Sequence, residues 1–193
     1  MKPFKYSIFL SFLLLSLNLM GQDKWTLEFK PGLNFPSTDI GETSLQTGFG
    51  FELIGAYKIS PQFDAYAGWG WNQFTTKKAL ITEESDIRET GYSFGLKFSN
   101  PFLNFSKTFY VLNAGGIYNH LEVEDRFNET LGDTGHGFGW QASVGLEYFI
   151  ADNWSLRPEL RYRFLSKDLT YLNITEKIEH KYISFGLGLA VSF

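Results

Sequence analysis

From Trp25 to Phe193 the chain alternates apolar and polar side chains one residue at a time, in eight separate segments. A period of two belongs to β-strands, whose successive side chains point to opposite faces. In Trp25–Phe35 the residues Trp25, Leu27, Phe29, Leu33 and Phe35 face away from Glu28, Lys30 and Asn34. Gly137–Ile150 sets Phe138, Trp140, Val144, Leu146 and Tyr148 against Gly139, Gln141, Ser143, Gly145 and Glu147. Tyr182–Phe193 sets Ile183, Phe185, Leu187, Leu189, Val191 and Phe193 against Ser184, Gly186, Gly188 and Ser192. The other segments are Gly48–Ser60, Phe63–Phe74, Gly91–Ser99, Thr108–Leu121 and Trp154–Leu165. Alternation is weakest in Thr108–Leu121, where Tyr110, Leu112, Ala114 and Tyr118 are assigned to the apolar face.

The connections alternate too. Ser60–Gln62, Asn100–Lys107 and Ala151–Asn153 are short; Pro36–Thr47, Thr75–Thr90, Glu122–His136 and Ser166–Lys181 are long, polar and charged. Three short and four long connections in turn describe an antiparallel up-and-down meander with every long loop at one end.

A soluble barrel and a transmembrane barrel share this periodicity and invert it. The apolar faces are almost free of charge, so turning them inward would leave an outer surface with only about eleven charges among many Gly and Ser. An eight-stranded barrel has an interior just wide enough for side chains to fill. Alternating Gly and Ser suit that space, and rows of Phe and Trp do not. The expected fold is therefore all-β, an eight-stranded antiparallel transmembrane barrel. Register is well specified: a one-residue slip of Trp154–Leu165 sends Arg157, Arg161 and Arg163 into lipid, at roughly 2–4 kcal/mol for each Arg at the midplane. Aromatic residues gather at both ends of the apolar faces, Trp25, Tyr57, Phe63 and Trp154 at one and Phe49, Trp71, Tyr118 and Phe138 at the other, as expected of interfacial girdles. Pro31 and Pro158 cannot donate to a ladder, so a bulge or a missing bond is expected at each.

Residues 1–21 read as a cleaved signal peptide, with Lys2 and Lys5 before the apolar run Ile8–Leu17 and small Gly21 at its end. That run is too short to span a bilayer as a helix. Residues 22–193 then form one barrel domain. Absence of cysteine excludes disulfides and thiolate chemistry, and a net charge of −4 excludes a basic nucleic-acid surface.

Eleven charged residues fall on the inward faces: Glu28, Lys30, Glu52, Lys58, Asp64, Lys97, Glu147, Arg157, Glu159, Arg161 and Arg163. Six positive against five negative charges predict an ion-pair network that fills the lumen, since isolated buried charge is costly. The alternative is a narrow polar conduit. Catalysis, a metal site and a cofactor are not expected. His120, His136 and His180 stand near the long-loop ends without a serine placed for a hydrolytic triad or a ligand-spaced pair. Glu122, Glu124, Asp125, Glu129 and Asp133 make the third long connection an acidic, solvated loop, able to meet lipopolysaccharide through divalent ions.

The signal peptide, the loop pattern and the closing strand Tyr182–Phe193 with its terminal aromatic together resemble the small eight-stranded outer-membrane barrels of the OmpA/OmpX type, in the outer-membrane β-barrel domain family. The resemblance covers Gln22–Phe193. It implies a Gram-negative outer membrane, periplasmic termini, long loops outside, and Phe193 as a signal read by the barrel-assembly machinery. Outer-membrane lipid and lipopolysaccharide are the implied surroundings of a monomeric barrel without a periplasmic peptidoglycan-binding domain. The family has no single activity. The expected role is structural or surface-interacting, without enzymatic activity.

Overall fold

Each alternating segment becomes a strand, and the strands close on one another. In a computed structural model describing residues 24–38, 45–76, 85–103, 105–125, 130–171 and 174–193, nine strands occur: β1 (Trp25–Pro36), β2 (Gly48–Lys58), β3 (Phe63–Thr75), β4 (Ser85–Pro101), β5 (Thr108–Asp125), β6 (Thr130–Asp133), β7 (Gly137–Phe149), β8 (Trp154–Tyr171) and β9 (Ile174–Ser192). Eight form an antiparallel ring, each pairing with its neighbour in the order β1-β2-β3-β4-β5-β7-β8-β9, and β9 returns to β1 from Thr26↔Ser192 to Pro36↔Tyr182. The short β6 is appended to β5, with Glu122 opposite Asp133. The expected signal peptide lies outside the described residues.

The prolines each remove ladder pairs on one side only. Pairing of β1 with β9 runs to Phe29↔Leu189 and resumes at Gly32↔Gly186, while Pro31 still pairs Phe51 of β2. Pairing of β7 with β8 stops at Gly145↔Glu159 and resumes at Tyr148↔Leu156, while Pro158 still pairs Leu187. Register is unchanged across both gaps, so the outcome is a missing bond and not a bulge.

The outer surface is the apolar one. Leu53, Phe94, Leu112, Val144, Leu160 and Leu187 are all exposed, while Glu28, Glu52, Arg157 and Arg161 are buried. Cross-strand aromatic pairs band both ends of this belt: Trp25–Tyr57 at 4.9 Å and Phe63–Phe98 at 5.2 Å towards the short turns, Tyr118–Phe138 at 4.8 Å and Phe49–Trp71 at 5.6 Å towards the long connections. The uncertain fifth segment follows the assigned phase, since Leu112 and Tyr118 face out and Val111 and Ile117 are buried.

The long-loop end departs from expectation. Much of what reads as polar loop is ladder: β4 begins at Ser85, β5 runs to Asp125, and β8–β9 pairing continues from Trp154↔Val191 to Tyr171↔Ile174. In this extension the polarity reverses. Phe74, Ile87, Ile117, Leu121, Leu165 and Ile178 pack inside with Leu45, a residue of the first long connection held by its bridge to Thr76. Beyond the belt the outside is no longer apolar, so the ordinary rule returns and apolar groups collect within.

Candidate functional site

Within the ring the inward faces of the strands carry the charge, and strand geometry decides how those charges meet. Arg157, Glu159, Arg161 and Arg163 recur every second residue along β8 and so project inward in one column. Glu28 and Lys30 form a second column on β1, with β9 lying between the two. Gly186 and Gly188 of β9 let the columns touch across it. A Cβ at Gly188 would stand 2.2 Å from Glu28 Oε1, and one at Gly186 would stand 3.0 Å from Lys30 Cγ.

The result is a chain of alternating charge along the barrel. At the short-turn end Lys97 Nζ lies 2.6 Å from Asp64 and 3.9 Å from Glu147. Glu147 accepts from Arg157 Nη2 at 2.6 Å and from Ser155 Oγ at 2.9 Å. Arg157 Nη1 donates to Glu28 at 2.9 Å, and Lys30 Nζ bridges Glu28 at 3.1 Å and Glu159 at 2.9 Å. Arg161 donates through Nη2 to Glu159 at 2.7 Å and through Nη1 to Glu52. Arg163 Nη2 donates to Glu52 at 2.9 Å, and its Nη1 lies 3.4 Å from Glu89 and donates to Tyr182 Oη at 2.9 Å. Asn119 and Tyr182 donate to Glu89, the latter at 2.7 Å. Sign alternates at every step from Asp64 to Glu89, so each interior charge has opposite charges beside it. That arrangement offsets desolvation best. The buried amides Asn34 and Asn72, joined at 2.9 Å, flank the end of the ladder, with Asn72 Nδ2 donating to Tyr182 Oη at 3.3 Å.

Ten of the eleven inward charges expected from alternation meet in this ladder. Lys58 does not join it: the residue is exposed at the short-turn mouth, without an ion pair among the described residues. Its position at the last residue of β2 carries it past the enclosed section. Glu89 takes the terminal place instead, fully buried, although it reads as part of a polar loop. Ile87 and Glu89 share the inward face of β4, and with one apolar and one charged residue there no alternation marks Glu89 in the sequence. Glu124 likewise is not a solvated loop acid, because it is buried against Arg88 at 2.5 Å.

The histidines separate. His180 is enclosed by the cap, its ring 4.8 Å from Phe74 and 4.9 Å from Tyr182, with Nε2 3.7 Å from Glu89. It lies one residue beyond outward-facing Lys181, outside the apolar belt. Burial holds its imidazole below the ordinary value, against the opposing pull of Glu89. On acidification below about pH 6.5 the unfolded chain binds a proton that the folded barrel refuses, which costs up to about 1.4 kcal/mol per pH unit. Urea unfolding in detergent is expected to show stability falling from pH 7 to pH 5.5 in the wild type. A shallower slope is expected in His180→Phe, and equal slopes would remove this account. His120 and His136, by contrast, lie side by side on the outer surface with ring centroids 4.4 Å apart.

With this geometry in hand, comparison with known proteins is informative. Residues 7–193 match the outer membrane protein beta-barrel domain family. No curated protein matches the chain. Among solved structures, the chain is similar to Neisserial surface protein A (NspA), at 15% identity and a TM-score of 0.59 over 89% of this chain and 98% of that one. OprG from Pseudomonas aeruginosa gives 12% identity and a TM-score of 0.59 over 90% and 98%. AlkL, solved in DMPC lipid bilayers, gives 18% identity and a TM-score of 0.57 over 89% and 90%. At such identities these likenesses show the fold alone. A match over nearly the whole chain, on a closed ring with an apolar exterior and an ion-paired lumen, makes this chain a member of the outer membrane protein β-barrel domain family, an eight-stranded barrel of the Gram-negative outer membrane.

Proposed function

We propose that this chain is a closed, non-conducting barrel with a structural or surface-interacting role, exercised through the strand extensions and connections at its long-loop end, and without enzymatic activity. The observation that carries this reading is the occupied lumen. Charged side chains fill the middle and the apolar cap lies above them; two cavities among the charges measure about 30 Å³ each, room for two or three waters, and the larger space of about 130 Å³ is confined to the short-turn mouth beside Lys58, Asp64 and Lys97. Both termini are then periplasmic and the extensions are extracellular. Phe193, whose backbone exchanges hydrogen bonds with Trp25 at 2.9 and 3.1 Å where the ring closes, is the assembly signal. Lipid covers the belt, and lipopolysaccharide surrounds the extended end of a single barrel.

In planar bilayers the purified barrel is expected to produce no discrete current steps. Reproducible step conductance would replace this reading with the narrow conduit. On cells, exchanging residues 167–179 for a two-residue turn should preserve heat-modifiable migration and abolish complementation of a deletion strain's surface phenotype. Full complementation by the shortened chain would remove the surface role.

A further inference from the structure

Just beyond the aromatic girdle, β5 presents a side-chain cluster that neither the lumen nor ring closure requires. His120 and Glu122 are two residues apart and share the outward face of β5. Asp133 of β6 sits opposite Glu122 in the β5–β6 ladder. One ligand atom from each of the three lies within 4.8 Å of the others, and His120 Nε2 is 4.0 Å from Glu122 Oε1. A second imidazole, His136, lies tilted beside His120 at 4.4 Å and beside Tyr118 at 5.0 Å between ring centroids.

The backbone holds this group firmly. Thr134 donates its N–H to the Leu121 carbonyl at 3.0 Å, and its hydroxyl accepts the Leu121 N–H at 2.9 Å. Gly135, at a φ of 62°, donates to Asp133 Oδ1 at 2.8 Å, which orients the carboxylate. Two carboxylates directly opposite one another repel. Among the described residues no Lys or Arg pairs with either, because Arg88, opposite Glu122 in the β4–β5 ladder, is taken by Glu124. Mixed imidazole and carboxylate donors select zinc and its neighbours over calcium or magnesium, which take oxygen.

We propose that His120, Glu122 and Asp133 bind a divalent transition-metal ion of the zinc class, with water in the fourth position. Zinc bonds of about 2.0–2.2 Å place tetrahedral donors about 3.4 Å apart, a contraction that side-chain rotations can supply. The ion would staple β6 to β5 and tie the third long connection to the barrel wall. Sequence spacing does not reveal the site, because Asp133 arrives through a four-residue strand without apolar alternation.

The test uses the folded barrel in detergent micelles with Zn²⁺ alone, in competition with a chromophoric chelator. The expected result is one ion per chain, with affinity lowered at least about tenfold in His120→Ala and in Asp133→Asn, and no competition from Mg²⁺ or Ca²⁺. On the wild type, Co²⁺ should give the visible absorption of a tetrahedral site, and Zn²⁺ should slow amide exchange across Leu121–Val123. Unchanged affinity in the variants, or equal competition by Ca²⁺, overturns the proposal. Should either variant fail to migrate as a folded barrel, the wild-type measurements decide: absent Zn²⁺-dependent protection of β5 also overturns it.

Discussion

Replacing Arg161 by Met is expected to destabilise the barrel by about 3–5 kcal/mol, the usual cost of removing one partner from a buried ion pair. Arg161 stands between Glu159 and Glu52, donating to both from an almost fully enclosed position. Without it, two carboxylates remain in the lumen, with only Lys30 and Arg163 to compensate. Reversible urea unfolding in micelles or vesicles, followed by tryptophan fluorescence, gives the number. Lys58→Met is the control, expected to behave as an ordinary surface substitution. Equal effects at the two positions, or a loss below about 1 kcal/mol for Arg161→Met, would mean that the charge ladder contributes nothing to stability.

The second large effect concerns the opposite face. Leu160 is half exposed and lies between Val144 and Phe185, midway along the apolar belt. In water an exposed Leu→Arg change is close to neutral. On the lipid face at the midplane it costs roughly 2–4 kcal/mol. Leu160→Arg should therefore depress folding into phospholipid vesicles by that amount. Lys181, already beyond the belt and resting over the Phe164 ring at 5.4 Å, should tolerate Lys181→Leu with little change. A neutral Leu160→Arg variant would place this face in water and dissolve the membrane reading.

The extensions were obscured by a change of phase in the same alternation. Along β9 the outward residues are odd-numbered from Ile183 to Val191, while Ile178, His180 and Tyr182 are buried at even positions. The adjacent apolar pair Tyr182-Ile183 marks the switch, and Phe164-Leu165 marks it on β8. Read with one hydrophobic phase, the strands stop there and the remainder looks like loop. Read as a change of solvent, the same residues continue as strand. His180 lies beyond this switch and Glu89 at its edge, opposite Asn72 and one step short of inward-facing Ile87, so both fall in stretches that read as polar loop.

The eight strands of the ring, their connectivity and the outward turn of the apolar side chains follow from alternation alone, because a period of two admits two faces and only one is free of charge. Lys58 shows where that logic ends, since facing inward does not guarantee enclosure. Pairing within the lumen came from closure of the ring. Arg157 meets Glu28, and Lys30 meets Glu159, across 129 residues of chain and over the glycines of β9. Such contacts depend on curvature and on which strands become neighbours, quantities that no local pattern of residues encodes.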